Sequence, residues 1–235
     1  MDFFTFVKEN LSHVAPLVLA AALGVAIIAE RARALFVQYP MKDSEGFMDR
    51  IRELVMGGNT ASAVALCDER KDKPLARLVK TALLRAHQPE AVIENGLELT
   101  MGELTHTIQK RTSFLATIAN VATLLGLFGT ILGLIQSFQA VGHADAQQKS
   151  ALLAAGISTS MNATMFGLGI AIPCMVAFSL LVNRANSLVG ELERSSLKIM
   201  DILKQRFYGA IEETHANGHD KTEEKSNVTP IRKSA

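Results

Sequence analysis

The sequence predicts an all-α membrane protein with three transmembrane helices, two of which extend into a cytoplasmic helical bundle. Hydrophobic residues make up 49% of the 235 residues and are concentrated in three stretches. The two longer stretches contain no Asp, Glu, Lys, Arg or His, from Thr112 to Gly142 and again from Ser150 to Asn183. No segment alternates apolar and polar residues as a strand does. Two uncharged runs of this length favour membrane spans over a buried helical hairpin of a soluble protein.

The first transmembrane helix is predicted at residues 14–36. Its apolar core, from Val14 to Ala29, is shorter than the roughly 20 residues that cross the hydrocarbon. Arg31 and Arg33 can supply the missing turn, because long basic side chains reach the interface from inside the bilayer. Residues 1–13 lack the basic start of a signal peptide, so we expect them to be retained as a periplasmic or interfacial helix.

The second and third transmembrane helices are predicted at residues 112–141 and 151–182, joined by a periplasmic loop at 142–150. Basic residues follow the first span, precede the second and follow the third, whereas the loop contributes only Lys149. The positive-inside rule therefore predicts a periplasmic N-terminus and a cytoplasmic C-terminus.

The remaining segments are predicted to be cytoplasmic and helical. Residues 37–111 contain amphipathic repeats, and we expect one uninterrupted helix to run from them into the second span. Residues 183–213 continue the third span as a cytoplasmic helix, with Leu188, Leu192, Ile199 and Leu203 at helical spacing. The polar residues 214–235 lack periodicity, which predicts a disordered tail.

Composition argues against several classes of function. The 24 Lys and Arg residues nearly balance the 23 Asp and Glu residues, which gives no reason to expect a nucleic-acid partner. Cys67 and Cys174 have unrelated surroundings and are interpreted as reduced thiols. We find no metal-ligand spacing, no nucleophile with a matching base and no phosphate-binding loop, so we expect no metal, no cofactor and no enzymatic activity.

Small and hydroxyl-bearing residues form a stripe on each of the last two spans. The second span carries Gly126, Gly129, Thr130 and Gly133, and the third carries Gly156, Ser160, Thr164 and Gly167. Such stripes allow helices to approach closely in lipid, which explains the glycines. The threonines have two interpretations: each hydroxyl bonds its own helix, or each faces a polar conduit. Thr130 and Thr164 are expected at the same depth. Because neither span has a carboxylate, an ion pathway would need one from another polypeptide.

Two motifs on these spans resemble those of the MotA/TolQ/ExbB proton channel family, closest to its ExbB/TolQ branch. LLGLFGTILGLIQSF at 124–138 is similar to the G-L-x-G-T-x-x-G segment of that family. AAGISTSMNATMFGLGIAIPCMVAFSLL at 154–181 is similar to its G-I-x-x-x-x-x-A-T-x-x-G-L-x-x-A-I-P segment. Pro173 lies in the second motif, where we expect it to kink the helix and shape the cytoplasmic side of the pore.

The resemblance implies a homopentamer in the bacterial inner membrane. The five subunits would surround two copies of an ExbD/TolR-like single-span partner, each supplying one essential Asp to the pore. The two pore threonines of the family fall on Thr130 and Thr164. The implied function is to convert the proton motive force into mechanical work on the cell envelope, in nutrient uptake, in a Tol-Pal-like role or in gliding.

One position departs from the family pattern. Thr159 stands where ExbB and TolQ often have a Glu, so a ring of subunits loses carboxylates near the pore and gains hydroxyls. Proton transport remains the favoured prediction, with Na⁺ as the alternative because Na⁺ prefers oxygen ligands. A scaffold that packs helices without conducting ions is the other alternative.

Overall fold

The chain folds into helices throughout the part that the structure describes. The structure is a computed structural model that describes residues 11–142 and 145–226, with side chains from 15 to 142 and from 145 to 209. No strand occurs in these ranges, so the predicted all-α class is confirmed. The helices of these ranges are α1 (Leu11–Arg33), a π-helical turn (Ala34–Gln38), α2 (Ser44–Met56), α3 (Thr60–Asp68), α4 (Pro74–Leu84), α5 (Glu90–Gln109), α6 (Ser113–Gly142) and α7 (Lys149–Ser226).

Three helical stretches are long and apolar enough to cross a membrane: Ala15–Gln38, Glu90–Gly142 and Lys149–Gly209. They overlap the three predicted spans, and of the predicted residues only Val14 falls outside them. The chain divides into two compact units. Unit 1 comprises residues 1–40 and 106–188, and unit 2 comprises residues 41–105 and 189–235.

The predicted continuous helix into the second span is wrong, because the chain breaks between α5 and α6. Arg111 has a φ of +62°, a left-handed conformation that costs roughly 1–2 kcal/mol in a residue with a Cβ. Arg111 also donates to both carboxylate oxygens of Glu30, at 3.0 and 3.1 Å. This ion pair is a tertiary contact between α1 and the break, and local sequence periodicity contains no sign of it.

Helix α7 is longer than expected. The tail was predicted to lose regular structure from residue 214, whereas α7 continues to Ser226. Its last turns contain Glu and Lys, which favour helices, and the next proline is Pro230. Residues 227–235 lie outside the described residues. So do residues 1–10, which include most of the predicted N-terminal helix, and residues 143–144 of the predicted loop.

Unit 2 has an apolar core built from the faces that the sequence pattern predicted. Phe47, Ile51 and Val55 of α2 are buried, and α4 contributes Leu78 and Val79. Leu192, Ile199 and Leu203 line the buried face of α7. The Asp43 carboxylate accepts the Gly46 N–H at 3.1 Å and so caps the start of α2, while Pro74 begins α4.

In unit 1, helices α6 and α7 pack antiparallel through their small residues. A Cβ added to Gly126 would lie 3.1 Å from the Gly167 Cα and 3.1 Å from the Ala163 carbonyl oxygen. A Cβ on Gly133 would lie 2.6 Å from the Ser160 Cβ. Further along, a Cβ on Gly156 would overlap Ser137. As residue numbers rise along α6, those of the opposing residues fall along α7, so one register holds over the whole contact.

The first prediction compares Gly167 with Gly169, two glycines that lie two residues apart and so on opposite faces of α7. A Cβ on Gly167 would lie 2.6 Å from the Ala122 carbonyl oxygen and 2.8 Å from the Gly126 Cα, whereas one on Gly169 meets nothing within 4 Å. We expect Gly167→Ala to lower the free energy of unfolding by about 1–3 kcal/mol through overpacking. Gly169→Ala should leave it unchanged or slightly raised. Thermal unfolding of the purified protein in detergent, followed by circular dichroism, tests this, and equal midpoints for the two variants would contradict the packing.

The second prediction concerns the thiol of Cys67, which is buried in unit 2. Burial, reinforced by the charge of Asp68, raises the pKa of the Cys67 thiol to about 12. Because only the thiolate reacts, maleimide labelling at pH 8 should be roughly a thousandfold slower than for a free cysteine. The measurement uses a Cys174→Ala background so that only Cys67 reports. Labelling should become fast in denaturant, and equally fast labelling of the native protein would refute the burial.

Candidate functional site

The hydroxyls of Thr130 and Thr164 meet beside the small residues through which α6 and α7 approach each other closely. The two oxygens are in direct contact, and both side chains are half-buried. Thr130 donates to the Gly126 carbonyl oxygen at 3.0 Å, and Thr164 lies 3.3 Å from the same oxygen. The prediction that the two threonines lie at the same depth is therefore confirmed, and Gly126 is the backbone group that connects them.

Several hydroxyls on these two helices give their proton to a carbonyl of their own helix, as Thr130 does, whereas Thr164 bonds the Gly126 carbonyl of the neighbouring helix. Ser137 donates to Gly133, Thr159 to Ala155 at 2.9 Å and Ser160 to Ile157 at 2.9 Å. A hydroxyl has one proton and two lone pairs, so lone pairs remain once the proton is committed. For Thr130 the two interpretations are thus compatible, because a hydroxyl that bonds its own helix can still accept a hydrogen bond from outside. Thr164 instead bonds across the contact between the helices.

A cavity of about 310 Å³ opens beside α6 and α7, on the side of the threonine pair that leads to the connection between the two helices. Its polar lining consists of Gln136, Ser137, Thr159 and Ser160, and Leu17 of α1 closes part of its wall. Thr130 and Thr164 do not line this cavity. The cavity reaches the level of the pair, since Gly129 and Ala163, the chain neighbours of the two threonines, are part of its lining.

Besides the threonine pair, the predicted site residues lie in the α6–α7 contact, along the cavity or, for Pro173, outside both. Four of them belong both to the contact and to the cavity lining: Gly129, Gly133, Gly156 and Ser160. Gly126, Gly133, Gly156, Ser160 and Gly167 lie in the α6–α7 contact, and Gly129 faces the Ala163 Cβ there. Thr159 lines the cavity, next to Ser160. Pro173 is exposed on α7, which runs through it as a helix.

Sequence reasoning missed three parts of this arrangement. Ala163 is not a member of the predicted stripe, but its carbonyl oxygen and its Cβ face Gly126 and Gly129. Gln136 supplies an amide to the cavity. Gly24 allows α1 to approach the other two helices, since a Cβ there would lie 2.9 Å from the Cys174 sulfur and 3.6 Å from the Ile118 Cγ2. The lone glycine in the apolar run of α1 was the available signal.

The described stretches of α6 and α7 that surround the threonine pair and the cavity carry no charged side chains. The described stretches from Thr112 to Gly142 and from Ser150 to Asn183 contain no Asp, Glu, Lys, Arg or His, so a carboxylate at the site has to come from another chain. Within the described ranges, no three His, Cys, Asp or Glu side chains are grouped as metal ligands.

Comparison with known proteins shows the family to which the chain is similar. Residues 70–194 match the family model described as the MotA/TolQ/ExbB proton channel family. The chain is 30% identical over 199 residues to the Tol-Pal system protein TolQ of Haemophilus influenzae, covering 78% of this chain and 84% of that protein.

Two further relatives extend the similarity. The putative biopolymer transport protein ExbB-like 3 of Synechocystis is 30% identical over 217 residues, covering 91% of this chain and 95% of its own. The biopolymer transport protein exbB1 of Vibrio cholerae is 26% identical over 198 residues, covering 83% and 86%. The match spans both helices that carry the threonine pair, and the chain belongs to the MotA/TolQ/ExbB proton channel family, in its ExbB/TolQ branch.

Proposed function

We propose that the chain is the ion-conducting subunit of an inner-membrane motor that converts the proton motive force into mechanical work on the cell envelope. The observation that carries the proposal is the contact between the Thr130 and Thr164 hydroxyls at the closest approach of α6 and α7. Packing alone requires only small residues there, as Gly126 and Gly167 provide. Two hydroxyls at the same depth in an uncharged stretch provide polar atoms that a crossing ion can contact.

The hydrogen-bond pattern supports a cation as the transported species. The hydroxyls of Thr130, Thr159 and Ser160 donate to carbonyls of their own helix, which leaves lone pairs for an incoming ligand. Lone pairs attract cations and the protons of water, and they repel anions. We therefore propose H⁺ as the ion. Na⁺ is the alternative, because Thr159 supplies an oxygen where relatives often have a carboxylate.

A second polypeptide completes the proposed pathway. Since neither span carries a carboxylate, we propose that an ExbD/TolR-like single-span partner, in two copies, supplies an Asp to the pore. A carboxylate in such a site has a raised pKa and can alternate between neutral and charged forms. Threonine hydroxyls can stabilise the charged form without fixing it, whereas a lysine would hold the carboxylate permanently in its charged form.

The assembly and its orientation follow from the same proposal. Five copies of the chain form a ring around the partner helices, with the N-terminus in the periplasm and the C-terminus in the cytoplasm. The cytoplasmic parts of α5 and α7 pack with α2 to α4 into the helical bundle. Each ion that crosses releases about 2.3 kcal/mol per 100 mV of membrane potential, so several ions per step can supply useful work. The names of the relatives associate them with the Tol-Pal system and with biopolymer transport, and the powered process here is of this kind.

The third prediction tests conduction at the threonine pair. We expect Thr130→Val and Thr164→Val each to lower ion flux about 10- to 100-fold, because a hydrogen bond to a charged group contributes roughly 1.5–3 kcal/mol. Flux is measured as cytoplasmic acidification in cells that co-express the chain with its ExbD/TolR-like partner. Thr123→Val is the matched control, since Thr123 is on the same helix and donates to Ala119. That variant should conduct like the wild type.

The same experiment separates the alternatives when intracellular Na⁺ is followed together with pH. Acidification that requires the partner and both threonines supports a proton motor. Na⁺ entry without acidification would show that the transported ion is Na⁺ and not H⁺. If neither ion enters although the complex assembles, the small residues only pack helices and the scaffold is correct.

A further inference from the structure

Unit 1 carries a second cluster of polar groups, at the end of α6 that lies away from the α6–α7 connection. It consists of one acidic and five basic side chains, which we call the basic cluster: Glu30, Arg31, Arg33, Lys110, Arg111 and Arg184. The level of Arg184 follows from its neighbours, because Asn186 lies 3.3 Å from Gln109 and the Arg184 guanidinium stacks 5.6 Å from the Phe36 ring. Five basic side chains against one carboxylate leave a formal charge of +4.

Unit 1 cannot neutralise this charge from its own described residues. Apart from Glu30, its only other carboxylate in those residues belongs to Asp145, in the connection at the far end of α6. Glu30 is shared: it accepts Arg31 Nη2 at 2.9 Å and Arg111 Nη1 at 3.0 and 3.1 Å. One carboxylate therefore serves two guanidinium groups.

Arg31 is the costly member of the basic cluster. Its side chain is only 6% exposed, and its Nε and Nη1 are buried without an acceptor. The Nε of Arg184 and the Oγ1 of Thr112 are also buried without partners. A buried charge that is only partly paired is strongly unfavourable. Among the described residues, Arg31 has an acceptor for only one of its three guanidinium nitrogens.

The outer side of the basic cluster is accessible and borders an apolar surface. Arg111 and Glu30 have side chains 48% and 44% exposed. Arg33 is exposed one turn after Glu30, on the same side of α1. Large apolar side chains are exposed next to these residues in the chain, at Phe36, Val37 and Phe114. Basic groups beside exposed apolar side chains at the end of membrane spans are typical of the headgroup region of a bilayer.

We propose that the basic cluster binds the phosphate of an anionic phospholipid, of which phosphatidylglycerol is the probe. The phosphate has only acceptor oxygens and matches the exposed guanidinium groups of Arg33 and Arg111. The acyl chains lie along the exposed apolar side chains. When the phosphate binds Arg111, Glu30 no longer has to pair with Arg111 and can pair with Arg31 alone. The buried guanidinium of Arg31 then gains the acceptor that it lacks. The site does not depend on ion conduction.

The fourth prediction tests lipid selectivity in the full-length protein. Phosphatidylglycerol and phosphatidylcholine with identical chains are titrated into the detergent-solubilised protein, and binding is followed by native mass spectrometry. Arg33→Gln should weaken phosphatidylglycerol binding about fivefold, the effect of one basic residue near an anionic lipid, and should leave phosphatidylcholine binding unchanged. Lys149→Gln is the matched control, because it removes one exposed positive charge at the start of α7, away from the basic cluster.

A second variant, Glu30→Gln, tests whether the lipid can replace a negative charge that the protein has lost. Glu30→Gln removes the one carboxylate that Arg31 and Arg111 share, so we expect a lower melting temperature in phosphatidylcholine than for the wild type. Phosphatidylglycerol should restore the melting temperature, because its net negative charge replaces the lost charge of Glu30, whereas the phosphate of phosphatidylcholine is neutralised by its own choline group. Lack of selectivity between the two lipids, or equal loss of binding in Arg33→Gln and Lys149→Gln, overturns the proposal. Stabilisation by inorganic phosphate alone to the same extent as by phosphatidylglycerol overturns the assignment to a lipid.

Discussion

The close approach of two backbones, between Gly126 of α6 and Gly167 of α7, is the constraint on which the rest of unit 1 depends. At this distance a single added methyl group would meet backbone atoms of the other helix, which cannot move aside as a flexible side chain can. In lipid, where burying larger apolar side chains gains little, such contact supplies much of the attraction between helices. The same approach brings the Thr130 and Thr164 side chains together and leaves the wider space beside Thr159 as the cavity.

The sequence predicted those parts of the fold that depend on local pattern. Apolar length gave the three spans, and helical spacing gave the buried faces of α2 and α7. The stripes of small residues predicted the face on which α6 meets α7. They also predicted the depth of Thr130 relative to Thr164, because helical rise is the same in both helices and the connection between them is short.

The features that the sequence did not predict depend on contacts between distant residues. The break at Arg111 involves Glu30, 81 residues earlier in the chain. The place of Ala163 in the contact depends on the rotation of α7 against α6, which a stripe defines only to within a neighbouring residue. The cavity is the space that the packed helices leave unfilled. Gln136 and Leu17 line it, but no shared sequence pattern links these two positions.

The register between α6 and α7 constrains how the length of the chain can vary. Gly126 faces Gly167, Gly133 faces Ser160 and Ser137 faces Gly156, so the number of residues between successive contacts is equal on the two helices. One inserted residue within either helix would rotate everything beyond it by about 100° and turn a large side chain toward the neighbouring backbone. An insertion in the connection after Gly142 would leave every pair in place. Divergence by insertion and deletion is therefore confined to the ends of this helix pair, while its interior can change only by substitution.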